Sequence, residues 1–390
     1  MLPLHETQKE TIVMKVLYVL SNSNLDGSTL SFLTLLNGVL AQNHHAVVII
    51  PSENAAFSEK LTSIDVKTYV VPYEFYSWPK QYGIKRLLGY PFVLARMLVL
   101  QKRNRRVLTK IIRLEKPDIV HTNVSPLDVG HYAAKKCNIP HVWHIREYCD
   151  KDFNIKLFPS KTLYRKKLNS DWTISITKDL QAYNSLGNCE RSTVIYNGVR
   201  SIKDTKYNQH KSKYFLCASR ISEEKGFDRT IHVFASFVKK HPDYELVILG
   251  EGYDYYIDHL KALITDLDIE NNVCFKGFTN DVDSYMECAT ALLVASPSEG
   301  FGRMTAEAAF AGCLVIGYNS AGTREILETT GGFLWDDDAD YLNAMENVAS
   351  MSKENYSSKA LFAQSKAKMM YSQESYISQI MSFYSKIVNC

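Results

Sequence analysis

The chain has 390 residues, of which 46% are hydrophobic and 22% charged, with a formal net charge of +3. That is too long for one ordinary core, since domains usually run ~100–200 residues, and the composition excludes wholesale disorder and low-complexity architecture. The small net charge hides a division: residues 1–200 hold 27 Lys+Arg against 16 Asp+Glu, while residues 201–390 hold 18 against 26. The halves therefore carry +11 and −8, which predicts two domains facing different surroundings.

The eight cysteines are scattered, with no C-x-x-C pair and no metal-type spacing. In a chain of this size that predicts free thiols and no metal site. The first ten residues hold two glutamates and one lysine, unlike a signal peptide. The longest apolar run, Leu87 to Leu100, is broken by Pro91 and Arg96 and falls short of the ~20 residues a spanning helix needs. The expectation is a cytoplasmic protein.

In chain order, Met14–Leu20 reads as a buried strand followed by a loop, then a helix over Gly27–Gln42 and a strand at Ala46–Ile50. Further strands are expected at Asp118–Asn123, Pro140–Ile145, Asp171–Thr177 and Ser192–Tyr196. The polar tract Gly198–Lys213 marks a linker, placed at 201–213. After it the pattern restarts with strands at Tyr214–Ser219, Tyr244–Gly250, Asn272–Gly277, Ala291–Ala295 and Leu314–Tyr318. Between the first two of these, Phe227, Ile231, Phe234 and Val238 form one apolar stripe on a helix over Gly226–Lys240. A final helix covers Gln373–Val388. Apolar strands alternating with helices predict an α/β protein of two doubly wound, Rossmann-like domains, whose ligand lies at the carboxyl ends of the strands and in the cleft between the domains.

Two segments carry chemistry. Ser296–Gly312 follows a strand, opens on a glycine-containing loop and continues as a helix, with Glu299 and Glu307 eight residues apart. Free amides at the start of such a helix favour an anion, and flanking carboxylates accept hydroxyl protons, which together suit a sugar nucleotide. Ser219–Gly226 places Arg220 and Lys225 at the end of another strand, where a diphosphate requires cations.

The Glu299-x7-Glu307 segment, the Arg220…Glu224-Lys225-Gly226 loop and Val273–Gly277 followed by Asp281 and Tyr285 resemble the nucleotide-sugar domain of retaining glycosyltransferases of family 4, with the GT-B fold. Val194–Val199 resembles that family's domain junction, and Gly331–Leu334 its late strand. The resemblance implies that Glu307 binds the ribose and Glu299 the transferred sugar. It implies that the amides of Gly300, Phe301 and Gly302 surround sugar and phosphate, that Arg220 and Lys225 neutralise the leaving diphosphate, and that the backbone near Gly277 and Phe278 meets the base. Gly27 matches the glycine loop approaching the diphosphate from the first domain, and His144 a histidine reaching the reacting sugar. His121 is read as a cleft-lining or structural residue.

The implied organisation is an N-terminal extension (1–13), an acceptor domain (14–200), the linker (201–213), a donor domain (214–372) and a C-terminal helix (373–390), for which the sequence allows either ordinary docking or a crossing back to brace the first domain. The implied substrates are a UDP- or GDP-sugar donor and a saccharide or lipid-linked acceptor, with no cofactor or metal, in the synthesis of a bacterial-type capsule, exopolysaccharide or lipopolysaccharide. A nucleotide-sugar epimerase and a non-catalytic carbohydrate-binding relative are the alternatives. This sequence departs from the family pattern at Asp26-Gly27-Ser28, where paired glycines are usual, and at Thr177, where serine is.

Between Lys80 and Lys116 stand eleven basic residues and one acid, Glu115. Arg96, Arg103, Arg106, Lys110 and Arg113 recur at helical steps opposite an apolar stripe. This predicts either a solvated basic face or attraction to anionic lipid at the inner face of the plasma membrane. No base-reading motif accompanies it, so nucleic acid is not expected.

Overall fold

The computed structural model describes residues 13–75, 77, 78, 84–153 and 156–390. The expected extension (all but Val13) and positions 80–83 of the basic segment lie outside the described residues. The elements run β1 (Lys15–Leu20), α1 (Gly27–Ala41), β2 (His45–Ile50), α2 (Ala55–Ser63), β3 (Lys67–Val70), α3 (Ile84–Glu115), β4 (Ile119–Asn123), α4 (Val129–Cys137), β5 (His141–Ile145), α5 (Asp150–Phe153), α6 (Lys161–Ser170), β6 (Trp172–Ser175), α7 (Lys178–Tyr183) and β7 (Ser192–Val194). They continue as β8 (Tyr214–Ala218), α8 (Phe227–Val238), β9 (Glu245–Leu249), α9 (Asp254–Asp266), β10 (Val273–Gly277), α10 (Val282–Cys288), β11 (Ala291–Val294), α11 (Arg303–Phe310), β12 (Leu314–Tyr318), α12 (Ala321–Thr330), β13 (Phe333–Trp335), α13 (Asp338–Ala349), α14 (Lys353–Tyr371) and α15 (Gln373–Val388).

Two sheets result, ordered β3-β2-β1-β4-β5-β6-β7 and β10-β9-β8-β11-β12-β13. Every pairing in the second is parallel, as are those from β3 through β5 in the first. Strands such as β1 are buried on both faces from Val16 to Leu20, which is why they read as unbroken apolar runs. The expected α8 stripe of Phe227, Ile231, Phe234 and Val238 is buried against the second sheet, where Trp335 and Tyr341 stack at 4.2 Å.

The chain forms two compact units, one of Met1–Ile145, Ile155–Ile174 and Met381–Cys390, the other of Arg146–Asn154 and Ser175–Ile380. This division differs from the expected boundaries because Tyr148, Ile176, Leu180, Tyr196 and Val199 pack in one apolar cluster with Phe301, Phe310 and Tyr371. The end of α15 counts with the first unit: Phe383 meets Trp172 edge to face at 5.6 Å.

The first unit contains a buried polar knot. Asp171 Oδ2 accepts from His131 Nδ1 at 2.6 Å, His141 Nδ1 at 2.8 Å and Trp143 Nε1 at 2.9 Å. With its Nδ1 proton committed to Asp171, His141 accepts from Thr122 Oγ1 through Nε2 at 2.8 Å. Burial pulls the His141 pKa below its ordinary 6.5. Burial alone would raise Asp171, but the hydrogen bonds from His131 and His141 hold it well below the carboxylate range. Both groups thus bind fewer protons folded than unfolded, so both favour folding at neutral pH and lose that contribution as pH falls. The thermal midpoint is expected to drop as pH falls below about 6.5, through His141, and further below about 4, through Asp171. In calorimetric melts, His141→Gln should flatten the upper part of that slope relative to wild type.

Candidate active site

A pocket of about 550 Å³, counting its open mouth, lies in the second unit. Cys217, Ala218 and Ser219 from the end of β8 form one wall, and Leu293 to Ser296 from the end of β11 form the other. These neighbouring strands are where the sheet order reverses, so the connections leave in opposite directions and open a crevice at the carboxyl edge.

Two helices start at this crevice, α8 and α11. Their first internal backbone bonds run from Thr230 N–H to the Gly226 carbonyl and from Ala306 N–H to the Gly302 carbonyl. The amides of 227–229 and 303–305 therefore have no intrahelical acceptor. Neither helix has a side-chain cap, whereas the N-terminus of α1 is occupied by its own Asp26, whose Oδ1 accepts from the amides of Ser28 and Thr29 at 2.9 and 3.0 Å. Both bare termini begin on glycines in the left-handed region, Gly226 at φ 71° and Gly302 at φ 85°. A Cβ on Gly226 would lie 2.6 Å from the Ala295 carbonyl oxygen, so the loop carrying Lys225 is pressed against the end of β11.

Charge completes the pocket. Lys225 Nζ lies 2.6 Å from Glu299 Oε1, both side chains roughly one-fifth exposed. An ammonium has three N–H donors, so Lys225 keeps two beyond that pair. Thr305 Oγ1 lines the same wall, buried and without a hydrogen-bond partner among the described residues.

Of the residues singled out in sequence, Lys225, Glu299 and Gly302 meet in this pocket. Arg220 does not line it: its side chain is 68% exposed and pairs with Glu224 at 2.5 Å. Glu307 is buried on α11, with Arg303 Nε at 2.9 Å from Oε1 and Arg200 Nη2 at 3.8 Å from Oε2. Arg200 also pairs with Asp283. The Gly300 carbonyl accepts from Thr177 Oγ1 at 3.2 Å, and the Phe301 ring packs into the core against Tyr371, leaving only its backbone for a ligand. Gly277 ends β10, and the Phe278 side chain is 65% exposed. Gly27 and His144 belong to the first unit, Gly27 at the start of α1 and His144 fully buried on β5.

Sequence reasoning missed Arg200, Arg303 and Thr305, although Arg303 stands four residues before Glu307 on one helix face, a spacing that signals a pair. It also gave no part to Gly250, which follows β9. A Cβ there would meet the Ser219 carbonyl oxygen at 1.9 Å, so the loops after β8 and β9 touch only because this residue is glycine.

The His131–His141–Asp171 knot is the one group of potential metal ligands of its kind among the described residues. Its nitrogen–oxygen separations of 2.6 and 2.8 Å are hydrogen-bond distances. Two such ligands on a shared tetrahedral ion with ~2.0–2.1 Å bonds stand about 3.3 Å apart, so the geometry is that of a hydrogen-bonded scaffold.

The glycine argument has a direct check. Gly226→Ala is expected to lower the unfolding free energy by about 1–3 kcal/mol in denaturant titrations. Gly27→Ala, where an added Cβ meets nothing within 4 Å, should change it by less than about 0.5 kcal/mol.

Comparison with known proteins agrees with this fold. The family model "Glycosyltransferase Family 4" matches residues 25–201 and "Glycosyl transferases group 1" matches residues 199–368. An uncharacterized glycosyltransferase of Haemophilus influenzae is 31% identical over 190 residues, covering 48% of this chain and 47% of that one. The chain thus spans about half the length of that relative. The N-acetylgalactosamine-N,N'-diacetylbacillosaminyl-diphospho-undecaprenol 4-alpha-N-acetylgalactosaminyltransferase of Campylobacter jejuni is 26% identical over 272 residues, covering 64% of this chain and 68% of that one. Among solved structures, Anabaena HepE in complex with UDP superposes with a TM-score of 0.76 at 21% identity, over 96% of this chain and all of the other. With both family models matched in tandem on two parallel α/β sheets, the chain belongs to the family 4 glycosyltransferases of the GT-B fold.

Proposed function

We propose that this protein is a retaining transferase that moves a sugar from a UDP- or GDP-sugar to a saccharide or lipid-linked acceptor in bacterial-type surface polysaccharide synthesis. The observation that carries the reading is the pair of bare helix N-termini on one pocket, beside Lys225. Two positive helix ends and an ammonium are the equipment for a diphosphate. Breaking the anomeric bond leaves charge on that diphosphate, and donors already in place stabilise it without reorganising, which can be the largest catalytic contribution. Lys225 and the amides of 303–305 neutralise the leaving group, so the scheme calls for no metal ion. Glu299 accepts from hydroxyls of the transferred sugar and Glu307, steadied by Arg303, from the ribose. The acceptor hydroxyl attacks the face the diphosphate leaves, and a phosphate oxygen takes its proton. The lipid-linked acceptor is supported by the Campylobacter relative, whose printed name includes a diphospho-undecaprenol substrate.

A thermal-shift screen of UDP, GDP and their sugars is the first test, because a ligand bound only by the folded state raises the melting point. Glu299→Ala should stay folded and lose transfer by roughly a hundredfold or more; wild-type turnover would remove Glu299 from the site. Lys225→Ala should weaken nucleotide-diphosphate binding by about 10- to 100-fold in calorimetry, the loss of a charge-assisted hydrogen bond. Interconversion of the donor's sugar without an acceptor would point instead to an epimerase.

We further propose that α3 lies on an anionic membrane. No helix among the described residues is long and apolar enough to cross one. Phe92, Val93 and Val99 are nevertheless at least half exposed on α3, in the same helix as exposed Arg96, Lys102, Arg103, Arg106 and Lys110. Apolar side chains beside a dense basic face suit the interface of anionic lipid, which adds ~1 kcal/mol per basic residue at the surface. In flotation with phosphatidylglycerol vesicles the wild type should float, and Arg103→Glu/Arg106→Glu/Lys110→Glu should remain in solution. A wild type that never floats ends the membrane reading.

A further inference from the structure

Three buried helical threonines spend their hydroxyls on their own helix. Thr109, Thr230 and Thr330 donate through Oγ1 to the carbonyl four residues back, at 2.6, 3.2 and 2.9 Å, the usual outlet for a hydroxyl there. Thr305 on α11 is denied that outlet. The carbonyl four residues before it belongs to Phe301, ahead of the helix, and faces α12 so closely that a Cβ on Gly322 would lie 2.3 Å from it. Thr305 is 1% exposed, and its Oγ1 has no partner among the described residues. A hydroxyl withdrawn from water in this way costs stability unless something else accepts from it.

We propose that the Thr305 hydroxyl is kept for the ligand and donates to an oxygen of the substrate's diphosphate. The inference rests on the diphosphate reading of this pocket. Thr305 lines its wall together with Lys225, Glu299 and Gly302. It is the third residue of α11, and helical side chains tilt towards the N-terminus of their helix. The amides of 303–305, which lack intrahelical acceptors, stand at that same end. Amides and a hydroxyl facing one opening are complemented by an oxygen-rich group with no protons of its own, and a diphosphate is such a group. The hydroxyl adds a fixed neutral donor beside the Lys225 ammonium. As the anomeric bond breaks and charge gathers on the diphosphate, this hydrogen bond strengthens without rearrangement. Thr323 supplies the contrast: its Oγ1 is equally buried and unpartnered among the described residues, but it does not line the pocket.

Calorimetric titration of the full chain with UDP, GDP and inorganic pyrophosphate supplies the test. Thr305→Val removes the hydroxyl and keeps the shape. It should weaken binding of the nucleotide that wild type takes by about 10- to 100-fold, the worth of a hydrogen bond to a charged group. Thr305→Ser keeps the hydroxyl and should stay within about threefold of wild type. Without ligand, Thr305→Val should melt no lower than wild type and up to about 4 °C higher, because it removes an unpaired buried group. Thr323→Val should gain stability in the same way and bind as wild type does. Unchanged nucleotide affinity in Thr305→Val, a lowered melting temperature in that variant, or equal weakening by Thr323→Val would each overturn the proposal. A loss seen with UDP-glucose or GDP-mannose but not with the free diphosphates would move the hydroxyl to the sugar and strike the phosphate assignment. Lys225→Ala separates this result from the functional reading. If it weakens binding while Thr305→Val does not, the hydroxyl alone leaves the site. If wild type binds neither nucleotide nor pyrophosphate, the diphosphate reading falls and the hydroxyl with it.

Discussion

The site depends on a topological constraint: in the second sheet the chain turns one way after β8 and the other way after β11, and these strands are neighbours. No connection can cover the edge they share, so the fold leaves a crevice there. The two helices that follow these strands begin at that crevice on left-handed glycines, Gly226 of them pressed against the end of β11. Backbone amides without intrahelical partners are thereby gathered at the crevice before any side chain is considered. Lys225 and Glu299 add charge and direction to a cradle that already exists.

This origin explains which parts of the site were legible in sequence. Lys225 and Glu299 each follow a short apolar run that reads plainly as a strand, so their positions at the carboxyl edge follow from the pattern. Their meeting at 2.6 Å depends on the adjacency of β8 and β11, which sequence order does not state. Arg220 carries the same local signal as Lys225, yet its side chain turns outward to Glu224. A loop residue's direction depends on a few backbone angles that composition does not encode. The contact between Gly250 and Ser219 is likewise hidden, because a glycine kept for close approach looks in sequence like one kept for a turn.

The segment His141–Ile145 shows how much one strand can hold. Its period of two sends His141 and Trp143 to Asp171 on one face, and His144 to His121 on the other. Read as a string, it is one apolar strand with two histidines. In the fold one histidine belongs to a scaffold that fixes β5 to Asp171 beside β6 and the other bonds His121 on β4. A slip of one residue would exchange these environments and strand both imidazoles. The knot around Asp171 therefore guards the register on which the orientation of His144 depends.

The late position of Tyr384 bears on how the chain is made. Its partner His121 precedes it by 263 residues, and synthesis at ~5–20 residues per second separates the two by tens of seconds. During that interval the first unit has its strands but lacks the helix end that covers Tyr18, His121 and Trp172. Nascent protein must therefore hold an unfinished core while the entire second unit is translated.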